Sequence, residues 1–125
     1  MSENDIANKV IGLAIEIHKA LGPGLLESVY QECLYYKLIK AGFSVAKQKS
    51  MPLIFEDVKM ECGYRLDLLV ENKLVIEIKN IEAINDIHIA QVLTYLRLGG
   101  YKLGLLINFN VVLLKNGIKR LVNGL

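Results

Sequence analysis

The chain has 125 residues, 53% of them hydrophobic, and a formal net charge of +2. Such a length gives one domain with a core of ordinary size, and such a composition excludes a disordered chain. The charge balance excludes an obvious basic coat for a polyanion, and no apolar run is long enough to span a membrane.

From the N-terminus, Ile6, Val10, Leu13, Ile17 and Leu21 recur at three- and four-residue steps and predict an amphipathic helix over 4–20. Gly22-Pro23-Gly24 stops it, because proline cannot continue a helix. A second helix is expected over 25–40, ending at Gly42. Phe43–Lys47 and Met51–Phe55 read as strands joined near Ser50, with Pro52 demoting the second to an edge or a strand start. Glu56-Asp57 reads as a turn, and 58–62 as the lead into a hairpin of Tyr64–Val70 and Leu74–Lys79. A third helix, capped by Asn85 or Asp86, runs to about Leu98 and ends at Gly99-Gly100. Leu103–Phe109 is a continuous apolar run and reads as a buried strand. Strand–helix–strand order places it parallel to Leu74–Lys79. Val111–Lys115 and Ile118–Val122, around Asn116-Gly117, read as a terminal hairpin. The expected fold is α/β in a single domain over residues 1–125: a mixed central sheet flanked by α-helices. Cys33 and Cys62 have no metal-ligand spacing and read as reduced core residues of a cytosolic protein. Charged residues break any N-terminal signal segment, so the expected location is cytoplasmic.

The central hairpin carries the chemistry. Even positions from 64 to 78 hold Tyr64, Leu66, Leu68, Val70, Leu74, Ile76 and Ile78. Odd positions hold Arg65, Asp67, Leu69, Val75, Glu77 and Lys79. Side chains alternate along a strand, so the even set predicts one greasy face. A three-residue loop, Glu71 to Lys73, keeps that face intact and pairs Val70 with Leu74. Asp67 and Glu77 then become cross-strand neighbours roughly 5 Å apart at Cβ, with Lys79 on the same face. Two carboxylates so placed repel unless a cation lies between them, and carboxylate oxygens are what Mg²⁺ prefers.

On the third helix, at 100° per residue, Ile84, His88, Gln91 and Tyr95 fall within a sector of about 60°. Ile87 and Leu98 flank it on one side, with Val92, Leu96 and Ile89 on the other. His88, Gln91 and Tyr95 are therefore expected at the middle of a covered face, opposite the charged side of the hairpin.

The spacing Asp67, nine residues, Glu77-Ile78-Lys79, eleven residues, Gln91 to Tyr95 resembles the PD-(D/E)XK nuclease superfamily. Glu77-Ile78-Lys79 matches its (D/E)-x-K element, and Gln91 to Tyr95 the Q-x-x-x-Y element of the RecB-type branch. Gly24-Leu25-Leu26-Glu27-Ser28-Val29-Tyr30 is similar to the motif that names the GxxExxY family. Leu21-Gly22-Pro23-Gly24, Gly63-Tyr64-Arg65, Ala90-Gln91 and Leu106-Ile107-Asn108-Phe109 extend the likeness over nearly the whole chain. One departure is Leu66, where the superfamily often has the proline before the Asp.

The resemblance implies a restriction-endonuclease-like core and a metal-dependent nuclease, with DNA the expected substrate. It implies Mg²⁺ or Mn²⁺ as cofactor, held by Asp67, Glu77, the backbone carbonyl of Ile78, and Glu27. The metal would act as Lewis acid and source of a more acidic water. Lys79 would stabilise charge on the phosphate, and Gln91 would bond the water or a phosphate oxygen. Tyr95 would buttress Gln91, His88 would contact the nucleic-acid backbone, and Tyr30 would pack. Lys47, Lys49, Arg65, Lys102, Lys115, Lys119 and Arg120 are candidate phosphate contacts, Arg65 and Lys102 foremost. A chain this short has no room for a reading domain, so sequence specificity would need a protein partner or a homodimer. Two other readings compete. One is a nuclease-like module that binds nucleic acid or protein without cleaving. The other is a scaffold in which Asp67–Lys79 and Glu77–Arg65 are salt bridges across the hairpin.

Overall fold

The computed structural model describes all 125 residues. Helix α1 spans Glu3–Leu21, opened by a capping box in which Ser2 and Asp5 bond each other's backbone amides. Helix α2 spans Glu27–Lys40. Between them the hydroxyl of Tyr30 donates to the Gly22 carbonyl at 2.6 Å and accepts from the Leu25 amide at 3.1 Å. Its fully buried ring stacks on Phe109 with centroids 4.3 Å apart. Gly22 and Gly24 take positive φ in this connection, which explains glycine at both. Tyr30 therefore fixes the loop that delivers Glu27. Tyr30→Phe is expected to lose about 1–3 kcal/mol in urea unfolding, since two backbone groups lose their partner.

A five-stranded mixed sheet follows. Its strands are β1 (Val45–Met51), β4 (Tyr64–Val70), β5 (Leu74–Lys79), β6 (Leu103–Asn108) and β7 (Ile118–Val122), in the order β1-β4-β5-β6-β7. Strands β2 (Ile54–Phe55) and β3 (Val58–Lys59) form a separate small hairpin. The crossover helix α3, Asp86–Gly99, makes β6 parallel to β5; the other pairs are antiparallel. Helices α1 and α2 cover one face over a core of 19 buried residues, and α3 covers the other over six. No helix is long and apolar enough to cross a membrane.

The hairpin β4–β5 has the expected three-residue loop, with Val70 opposite Leu74 and left-handed backbone at Glu71 and Asn72. Four details depart from the sequence expectations. First, the two strands expected around Ser50 are one, β1, which runs through Ser50 and stops before Pro52. The residues beyond form the β2–β3 hairpin, and Glu56 and Asp57 supply the two positive φ values its turn needs.

Second, the even positions do not share one face. Leu68 and Val70 pack under α1 and α2, whereas Tyr64 and Leu66 pack under α3. Strand β1 changes faces at the same level, with Val45 on one side and Met51 on the other.

Third, Val111–Lys115 is not a strand. Leu114–Gly117 makes a 3₁₀ turn, and β7 pairs with β6 instead. A Cβ on Gly117 would collide with the Asn108 carbonyl oxygen, so this glycine serves a close backbone approach rather than a hairpin turn. Fourth, Cys62 is exposed rather than in the core, while Cys33 is half-buried beside it; both are free thiols.

Candidate active site

The β4–β5 ladder ends at Leu68 and Ile76. At the next level the two carboxylates replace it. The Asp67 amide donates to Glu77 Oε2 at 2.8 Å, and the Ile78 amide donates to Asp67 Oδ2 at 2.9 Å. Each strand thus bonds the other's acidic side chain, and Asp67 and Glu77 meet as the register predicted. Glu77 is only 4% exposed. Burial, then the charge of Asp67, push its carboxyl up to about 8. The Asp67 amide and the charge of Lys79 oppose that rise, and the charge of Glu27 adds to it.

Neither carboxylate has a salt-bridge partner. The ion pairs of the chain are Lys37–Glu16 and Lys47–Glu32, each 2.7 Å long. Asp67–Lys79 and Glu77–Arg65, the pairs on which the scaffold reading was built, do not form. The half-buried Lys79 instead points its ammonium toward Gln91, with Nζ 3.4 Å from Oε1.

Helix α3 sits rotated from the expected orientation. Its buried stripe runs through Val92 and Leu96, which meet Leu66, Leu69, Val75 and Leu106 on the sheet. The apolar side turns inward because the sheet there is apolar, and Gln91 is left exposed beside Lys79. Tyr95 is half-buried and stacks on Tyr64 with centroids 4.9 Å apart; no hydrogen bond joins it to Gln91. Burial, with the charges of Glu77 and Asp67, raises its phenol. His88 completes the capping box of α3, its Nδ1 accepting from the Asn85 amide at 3.1 Å, so that atom is committed to the helix end.

Glu27 opens α2 and is exposed. Its charge reaches Glu77, but no group of three or more His, Cys, Asp or Glu side chains converges closely enough to hold a metal. Arg65 is exposed on β4, two residues before Asp67. Lys102 is not at this site. Strand β6 runs parallel to β5, so Lys102 precedes the level of Leu74, about 20 Å of strand from Lys79. Lys47 is engaged by Glu32 and lies over the Tyr35 ring.

Three side chains here were not among the site residues expected from the sequence. Gln48 Nε2 donates to Gln31 Oε1 at 2.7 Å and to Asp67 Oδ1 at 3.3 Å. Gln31 is 9% exposed on α2, one turn after Glu27. Asn108, nearly fully buried, bonds both the amide and the carbonyl of Ile81 and so holds the segment after Lys79. Its buried position in an apolar run was visible, but not its partner.

A mixed five-stranded sheet flanked by helices, with acidic side chains meeting on its central hairpin, has the restriction-endonuclease-like architecture. The chain belongs to the PD-(D/E)XK nuclease superfamily, whose family model matches residues 4–121. The crystal structure of SSO0001 is similar over 98% of this chain, with a TM-score of 0.59 and 21% identity, and shares the fold. This chain spans 62% of the length of that one. No curated protein matches the sequence. The superfamily consists generally of nucleases, which act on nucleic acids and typically use divalent metals. The donor set suits such an ion: two carboxylates without a paired cation, one of them buried, offer the hard oxygens Mg²⁺ takes from one or two acidic groups beside its waters.

Proposed function

We propose that residues 1–125 act as one metal-dependent nuclease domain of the GxxExxY type, hydrolysing phosphodiester bonds, with DNA as substrate. The observation that carries this is the reciprocal bonding of Asp67 and Glu77 at the end of the β4–β5 ladder, with no cationic side chain neutralising either. Asp67, Glu77 and the carbonyl of Ile78 would hold Mg²⁺ or Mn²⁺, with Glu27 adding negative charge from α2. When bound, the ion supplies a Lewis acid and a more acidic water. The chain's own residues do the rest. Lys79, unpaired and beside the carboxylates, stabilises charge on the phosphate. Gln91, exposed next to it, hydrogen-bonds the attacking water or a phosphate oxygen. Tyr95 packs behind on Tyr64, and Arg65 supplies a phosphate contact at the rim.

The absence of a converging third acidic ligand favours one competing reading, a module that binds nucleic acid without cleaving it. Calorimetric titration with Mn²⁺, beside hydrolysis of a supercoiled plasmid, separates the two. Wild type is expected to bind Mn²⁺ and nick the plasmid, and folded Asp67→Asn to lose Mn²⁺ affinity by at least tenfold and to lose nicking. Plasmid binding without Mn²⁺ binding or nicking would establish the module.

A further inference from the structure

The geometry points to Gln48 as a positioning residue for Asp67, held in a costly backbone conformation to do so; this role rests on the metal-dependent reading above. Gln48 lies inside β1 with φ +49. It is flanked by the pairs Lys47–Leu68 and Lys49–Leu66, which keep one register, so no residue is inserted. Non-glycine residues rarely adopt positive φ, and such strain gathers where a site requires it. The position opposite Gln48 in this register is Asp67. Both strands exchange faces at this level, β1 between Val45 and Met51 and β4 between Leu68 and Leu66.

The side-chain bonds say what that conformation achieves. A carboxylate only accepts, so the amide end of Gln48 must face Asp67. One Nε2 bond goes to Asp67 Oδ1 and one to Gln31 Oε1. The other Asp67 oxygen takes the Ile78 amide. Both oxygens are therefore held before any cation arrives, and Gln31, nearly buried on α2, steadies Gln48 from behind. Glutamine suits the position on charge. A glutamate would repel Asp67, and a lysine would pair with it and compete with a metal. Support of this kind orients a metal-holding carboxylate, and its loss typically weakens binding 10- to 100-fold.

Gln48→Gly removes the amide and relieves the left-handed strain at once. The full-length variant is expected to bind Mn²⁺ about 10- to 100-fold more weakly by calorimetry, while its metal-free stability in urea stays level or rises. A purely structural role predicts the relief of strain without the loss of Mn²⁺. Mn²⁺ affinity within fivefold of wild type, with Asp67→Asn still failing to bind, overturns the positioning role and leaves the metal site standing. A wild type that does not bind millimolar Mn²⁺ removes the metal-dependent reading and this role with it. Should the glycine variant not fold, Gln31→Ala withdraws the support from the other side; weakened Mn²⁺ binding upholds the role, and unchanged binding overturns it.

Discussion

Glu77→Gln is expected to make the metal-free protein more stable at pH 8.5 while removing nuclease activity. Glu77 is buried, faces Asp67 across the hairpin and is held up to about 8 by burial first and by that charge second. In the unfolded chain a glutamate titrates near its ordinary value of 4.5. Between those values the folded state binds a proton that the unfolded state has released. The stabilising effect of that proton is complete below about pH 4.5 and is lost as pH rises through about 8. Glutamine keeps an oxygen to accept the Asp67 amide and carries no charge at any pH. The two proteins should therefore be alike near pH 4, and the variant should lead by several kcal/mol near pH 8.5. Urea unfolding in EDTA across that range reads the difference directly. Equal stability at both ends would show that Glu77 carries no such penalty.

Divalent metal should reverse the order. An ion that binds the folded state alone stabilises it by mass action, so Mg²⁺ should raise the unfolding midpoint of wild type and leave the variant where it was. Because the ligand must first lose its proton, the apparent affinity of wild type should climb toward pH 8. The penalty of the free site and its affinity for a cation then have one origin: two acidic groups brought together with no salt-bridged cation, the charge of Lys79 offsetting only part of their repulsion.

The meeting of those carboxylates was legible because two independent constraints agreed. The apolar parity of Leu68, Val70, Leu74, Ile76 and Ile78 demanded an odd loop, and Glu71-Asn72-Lys73 provided it. The parallel placement of β6 followed from chain order alone. It also implied that Lys102 lies at the far end of the sheet, a consequence available from the sequence. Gln48 was different. Within the run Lys47-Gln48-Lys49-Ser50 it reads as one polar residue on a wet strand. A positive φ that sequence pattern does not encode falls where the two strands change faces, and there its amide meets Asp67. Asn116-Gly117 misled for a related reason: glycine marks both a positive φ and a close approach, and here Asn108 required the second. On α3, His88, Gln91 and Tyr95 were placed by angle, but the small apolar patch of Leu66, Leu69 and Val75 decided which side turned inward.

Lys79→Met should lower plasmid hydrolysis by 10²- to 10³-fold with the fold intact. The ammonium makes one long contact, 3.4 Å to an exposed Gln91, and takes part in no salt bridge, so little stability depends on it. Its position on β5, two residues after Glu77, puts it beside the charge that develops on a phosphate held at the carboxylates. Methionine preserves the apolar stem and deletes the charge. Removing a positive neighbour does not weaken a cation site, so Mn²⁺ binding above pH 8 should be retained or tightened. That separates Lys79 from Asp67, whose loss should abolish both. Lys79→Arg tests whether charge alone suffices. A planar guanidinium on a longer stem cannot occupy the same point, and partial recovery is expected. If the methionine variant cleaves within threefold of wild type, Lys79 has no part in stabilising the phosphate, and that charge must come from elsewhere, with Arg65 the nearest exposed cation along β4.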